Sequence, residues 1–218
     1  MGWNVTYHPL KENEIIECYF AVLENPTLEQ GVIQQYALDE RSAQRLSEVY
    51  QVARESRNEP FNKSHGFFLA TVAGILRKYW YLRDAAFSFM VKSNSQFETY
   101  VTPWTALVPQ QYQRGHFDRG ITESYCSGFY LNLAGLQNLQ IAYAGDARIW
   151  AIVEDTFSHG RLAVFWKAVD YAIEHQMGLL EATEIIEPDL HNPHNTHCFS
   201  TLFNCEQESL LLYQETVL

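Results

Sequence analysis

The sequence predicts an α+β fold, a single compact and predominantly helical domain over residues 1–218 with a small antiparallel or mixed sheet. Three observations carry this reading. Apolar residues recur at helical spacing through most long segments, whereas a few short stretches alternate or run apolar in the manner of strands. No repeat and no Gly/Ser- or Pro-rich linker divides the chain. Apolar residues make up 47% of it and aromatics 14%, which is core material enough to argue against disorder.

The elements follow in order. Trp3, Val5 and Tyr7 alternate with polar neighbours, suggesting a short strand that ends at Pro9. Between Lys11 and Glu24, Ile15, Tyr19 and Leu23 mark one helical stripe, stopped by Asn25-Pro26. Thr27 with Gln30 fits a capping box for a second helix from Leu28, and Asp39–Arg57 reads as a third. Ser64 caps a nearly all-apolar, central helix over 65–80. The run AAFSFMV (85–91) fits strand or helix, and FETYV (97–101) reads as a strand. Residues 103–120 are loop-like, and YCSGFYL (125–131) is a strand with Gly128 as a possible bulge. Two short helices flank Gly145-Asp146, and a longer one over 160–177 takes Gly178 as its C-cap. LLEATEII (179–186) follows as a strand, and SLLLY (209–213) is a last apolar run, strand or short helix.

Charge is the most informative global property. The net charge is −11. Residues 1–109 hold 10 basic and 12 acidic side chains, whereas residues 110–218 hold 5 basic and 14 acidic. After Lys167 there is no further Lys or Arg. Such a surface repels nucleic acid and anionic membranes and attracts a basic protein or a divalent cation. Met1–Pro9 has no basic stretch followed by an apolar run, and the longest apolar stretches are broken well short of a membrane span. The expectation is a cytoplasmic protein, with the scattered Cys18, Cys126, Cys198 and Cys205 acting as small buried apolar groups.

No family motif stands out, so candidate sites rest on residue types. His191, His194 and His197, with Cys198 nearby and Asp189 or Glu187 to complete a shell, are candidate zinc ligands, although their spacing matches no established zinc signature. No cofactor is expected other than zinc at these residues. Cys126, Ser124 or Ser127 with His116 or His159 as base is a weaker catalytic pairing, without a GxSxG setting. Nucleotide-binding glycine fingerprints are missing from the sequence. The reading preferred from sequence is a non-enzymatic protein-binding domain of the immunity or antitoxin type. It would neutralise a basic toxin or effector, secreted or contact-delivered, through Glu181, Glu184, Glu187, Asp189, Glu206 and Glu208. The alternative is a metal-dependent hydrolase using the His-rich loop at 191–198.

Overall fold

A computed structural model describes residues 3–113, 125–187, 189 and 204–217. Strand β1 (Asn4–Leu10) leads into α1 (Glu12–Ile15), a π-helical turn (Ile16–Phe20) and α2 (Ala21–Glu24), followed by α3 (Glu29–Gln35) and α4 (Glu40–Glu55). A second π-helical turn (Phe61–His65) opens α5 (Gly66–Leu76), and β2 (Trp80–Arg83) follows. Next come α6 (Phe87–Ser93), a 3-10 turn (Ser95–Tyr100), β3 (Thr102–Pro103), α7 (Trp104–Leu107) and β4 (Cys126–Leu131). The remainder comprises α8 (Leu133–Gly145), α9 (Ala147–Thr156), α10 (Arg161–Glu174), β5 (Gly178–Thr183) and α11 (Gln207–Val217). The fold is α+β, with one five-stranded sheet among many helices.

The strands lie in the order β2-β1-β5-β4-β3, and each neighbouring pair is antiparallel. The central pair runs from Val5 opposite Thr183 to Leu10 opposite Gly178. Both faces of the sheet are covered. Val5, Tyr7, Trp80, Leu82, Phe129, Leu131 and Leu179 join one core with residues of α6, α8, α9 and α10. Leu10, Tyr81, Tyr130, Leu180 and Ala182 join the other with residues of α2, α4 and α5. Successive strand residues point to opposite faces, so β1, β2, β4 and β5 each contribute to both cores by turns.

Both sheet edges are protected, as edges must be if they are not to pair with other chains. Outside β2, Tyr79 N–H donates to the Asn204 carbonyl at 3.0 Å, and Glu206 N–H donates to the Tyr79 carbonyl at 2.9 Å. Ser209 Oγ then accepts from Tyr81 N–H at 3.3 Å. At the far edge β3 is two residues long, and one of them is Pro103.

Several sequence expectations are corrected. The strand expected to end at Pro9 runs through Leu10, and all seven of its residues, the polar ones included, are buried because a helical layer lies on each side. Of residues 85–91, Phe87–Val91 begin α6 after the extended cap Ala86, and FETYV falls largely within the 3-10 turn, where Asn94 caps Gln96 N–H. The helix expected over 65–80 ends at Leu76, and Tyr79 and Trp80 belong to the sheet edge. The register of β4 on β5 shifts between Cys126 and Tyr130, on either side of Gly128.

Gly178 is not the C-cap of α10. That helix closes through Gln176, in the left-handed region at φ 56°, with Met177 N–H donating to the Ala172 carbonyl at 2.7 Å. This is a Schellman closure with glutamine where glycine costs least. Gly178 is instead the first residue of β5, where a Cβ would stand 2.2 Å from Tyr130 Oη and 2.3 Å from the Leu131 carbonyl. Two opposite stability changes are therefore expected in urea denaturation. Gly178→Ala destabilises by about 3 kcal/mol or more, through overpacking and loss of the bond from Gly178 N–H to Tyr130. Gln176→Gly stabilises by about 0.5–1 kcal/mol by relieving the left-handed conformation.

Candidate functional site

Among the described residues, the most deeply buried carboxyl group is that of Glu181, fully enclosed in the middle of β5. It lies opposite Tyr7 in the sheet register and accepts the Tyr7 hydroxyl at 2.8 Å. The same carboxylate accepts Phe87 N–H at 2.5 Å and Ser88 N–H at 3.3 Å, which are the first donors of α6. These helix-terminal N–H groups have no partner within their own helix, so the carboxylate serves as their cap from another element. Burial and the adjacent Glu181 hold the Tyr7 phenol well above its ordinary pKa.

On the other face, His8 is stacked on Tyr79 and bonded through Nε2 to Thr6 Oγ1 at 2.8 Å. Burial lowers its pKa from 6.5 to about 3, so the ring is neutral. The two π-helical turns meet where Tyr19 Oη and His65 Nδ1 lie 2.8 Å apart. Tyr50 donates to the carbonyl of Cys18, inside the first of these turns. Beside α1, Arg77 forms a two-pronged ion pair with Glu14, both contacts at 2.8 Å, and Tyr36 donates to Glu14 at 2.7 Å. Burial would raise the Glu14 pKa, but Arg77, the Lys11 N–H and Tyr36 hold it below the usual carboxylate range.

The weaker catalytic pairing gains no support from placement. Cys126 is fully buried, donates to the Gly66 carbonyl at 3.1 Å, and has its thiol pKa pushed up by burial, the reverse of an activated nucleophile. His159 is exposed, in a left-handed turn after α9. Burial also raises the Cys205 thiol, to about 12. His116, Ser124, His191, His194, His197 and Cys198 lie outside the described residues. Among the described residues, no group of three or more His, Cys, Asp or Glu could hold a metal ion.

The six acids proposed for partner contact do not form one surface. Glu181 is sealed in the core, because the strand places it on an inward face beneath α6. Glu184 is half-buried and accepts from Asn4 N–H and Nδ2 at 2.9 and 3.0 Å, tying the end of β5 to the start of β1. Glu206 pairs with Lys78 at 3.3 Å and Glu208 pairs with Lys167, so each has a cation of this chain. Glu187 is exposed and Asp189 half-buried.

Two concave or aromatic features remain. A cleft of about 480 Å³ opens at one end of the sheet, with Lys11, Glu12 and Asn13 exposed at its mouth. Its buried wall, Tyr130, is committed to the Leu10 carbonyl and Gly178 N–H. The second feature lies on the layer of α8, α9 and α10. The ring of Tyr143 packs on Trp166 at 4.8 Å, and its hydroxyl donates to Glu154 at 2.6 Å. Burial and Glu154 hold the Tyr143 pKa above its ordinary value, partly offset by Trp166 and Trp150 beside it. Trp150 is 50% exposed. It stands four residues after Asp146, the N-cap of α9, and four before Glu154, so both acids flank it along the helix. The sequence marks Gly145-Asp146 only as the junction between two short helices. The informative signal was the Asp-x3-Trp-x3-Glu spacing.

The protein already holds a cation in such surroundings. Lys78 Nζ stands 5.7 Å from the centre of the Trp80 ring and 5.1 Å from that of Tyr171, and pairs with Glu206. Arg77 lies 5.3 Å from the Tyr36 ring centre while pairing with Glu14.

The buried groups yield two tests of stability. Glu181→Ala removes the acceptor shared by Tyr7, Phe87 N–H and Ser88 N–H, although the Tyr7 hydroxyl keeps the Ala85 carbonyl and Phe87 N–H keeps the Tyr7 oxygen, and the expected cost is about 1–3 kcal/mol in chemical denaturation. The lowered pKa of His8 means that the unfolded chain binds the proton more readily than the folded one. Its contribution is present in full above pH 6.5 and is lost as pH falls towards 3, with a slope of about 1.4 kcal/mol per pH unit. Stability measured at a series of pH values should show this slope, and His8→Gln should flatten it. Comparison with protein-family models, curated proteins and solved structures gives no match to this chain.

Proposed function

We propose that this chain is a non-enzymatic protein-binding domain whose partner is a basic protein. The observation that carries the reading is the charge imbalance of residues 110–218, 14 acidic side chains against 5 basic. Of the described acids in that half, Glu181 is withdrawn into the core and Glu206 and Glu208 are matched by Lys78 and Lys167. Asp155, Asp170, Glu174 and Glu187 are exposed. A net negative field of this kind accelerates encounter with a positive partner and repels acidic competitors.

The specific form we infer is an immunity-type role in the cytoplasm, in which the protein masks a basic toxin or effector. The chemistry of the described residues is consistent with binding. The thiols of Cys18, Cys126 and Cys205 are buried, and burial raises the pKa of each.

The test is capture from the source cell with untagged, immobilised protein, followed by kinetics with the captured species. The expected partner is a single basic protein bound in equal stoichiometry. Its association rate should fall at least tenfold from low to high salt while dissociation changes little. Recovery of only acidic or neutral proteins, or an association rate indifferent to salt, overturns the reading. Stoichiometric zinc in the purified protein, lost in His191→Ala, would favour the hydrolase reading instead.

A further inference from the structure

We propose that the cluster of Trp150, Tyr143, Trp166 and Glu154 is a docking point for a cationic side chain, Lys or Arg, of the basic partner. The inference rests on the basic-partner reading above and adds the place and the chemistry of the contact.

Two observations lead to it. The first is compositional. The constellation around Lys78 is a Trp, a Tyr and a Glu, and that around Arg77 is a Tyr and a Glu. The cluster on α8, α9 and α10 has the same parts, two indoles, a phenol and a carboxylate. Among the described residues, no Lys or Arg stands over its rings or pairs with Glu154. An aromatic face attracts a cation through its quadrupole, and a carboxylate beside the ring adds direct attraction.

The second is positional. Trp150 is half-exposed in the middle of a helix whose neighbouring residues along the same stripe are acids, Asp146 and Glu154. A large aromatic on a solvated helix flank loses apolar burial, and Trp is the residue type that most often anchors protein interfaces. The flanking carboxylates select the sign of the incoming group. Asp146 is also the cap of α9, accepting Arg148 N–H at 2.8 Å and Ile149 N–H at 3.3 Å, so it is fixed in place. Glu154 is held by the Tyr143 hydroxyl. A guanidinium or ammonium arriving here therefore meets groups already oriented.

A hexa-arginine peptide is the probe, titrated into the whole protein and followed by the indole N–H resonances in NMR. The expected result is saturable movement of the Trp150 and Trp166 resonances. Affinity should fall roughly 3- to 30-fold in Trp150→Ala. Asp146→Asn with Glu154→Gln, which preserves the cap and the shape of both side chains, should also weaken binding, as should added salt. Glu40→Gln, an exposed acid in the first turn of α4, should bind as wild type. Binding by Trp150→Ala and by the Asp146/Glu154 variant within twofold of wild type overturns the docking point. If that binding remains salt-sensitive, the basic-partner reading survives and the contact lies elsewhere. If the wild type does not bind the peptide at all, the docking point fails, and capture of a basic protein from the cell decides the broader reading by itself.

Discussion

The second helical layer is registered on the sheet through one carboxylate. Glu181 sits at the centre of β5, takes the Tyr7 hydroxyl from β1 and holds the first backbone donors of α6. A charge so enclosed is tolerated only where donors converge on it. Here they come from a neighbouring strand and from the first turn of a helix, so three elements must be in place together. Around this point Phe87 packs on Phe97, Phe129 and Phe165, and Phe165 in turn stacks on Phe157 at 4.0 Å. The polar contact orients the elements, and the aromatic packing supplies the area removed from water.

The opposite face is built differently. Its core is joined by hydrogen bonds from tyrosines, with Tyr19 meeting His65, Tyr50 donating to Cys18 and Tyr130 donating to Leu10. Two of these contacts involve π-helical turns. Such turns widen the helix by one residue and leave carbonyls turned away from the regular ladder, and tyrosine hydroxyls can reach them.

Much of the fold was legible in the sequence because the longer helices carry plain periodic signals. The helix capped by Asp39, the pair around Asp146 and the amphipathic run through Phe165 lie close to where their spacing puts them. The misses have physical causes. FETYV alternates like a strand, but Asn94 supplies a local cap that favours a tight turn. Asn4, Thr6 and His8 look solvent-facing by type, and only the layer on their own side of the sheet, where His8 meets Gly74 of α5, explains their burial, which no local pattern encodes. The candidate site was less legible. Acidic residues near one another in sequence were divided by strand alternation and by lysines from elsewhere, Lys78 and Lys167. Trp150 went unremarked because a lone tryptophan in an apolar chain reads as core until its exposure is known.

The pairing of β1 with β5 has a consequence for how the molecule comes into being. Val5 lies opposite Thr183, so the middle of the sheet joins residues separated by most of the chain. During synthesis, the first strand emerges long before its principal partner exists. The α1–α5 segment can collapse early on local contacts, but it does so around a strand, β1, whose edge towards β5 is unpaired. The sheet closes only after β5 has left the ribosome, and its outer margin beside β2 is covered later still, by residues 204–209. Assembly of the sheet is therefore a late event relative to synthesis of β1, with a long interval in which that strand must be kept from other chains.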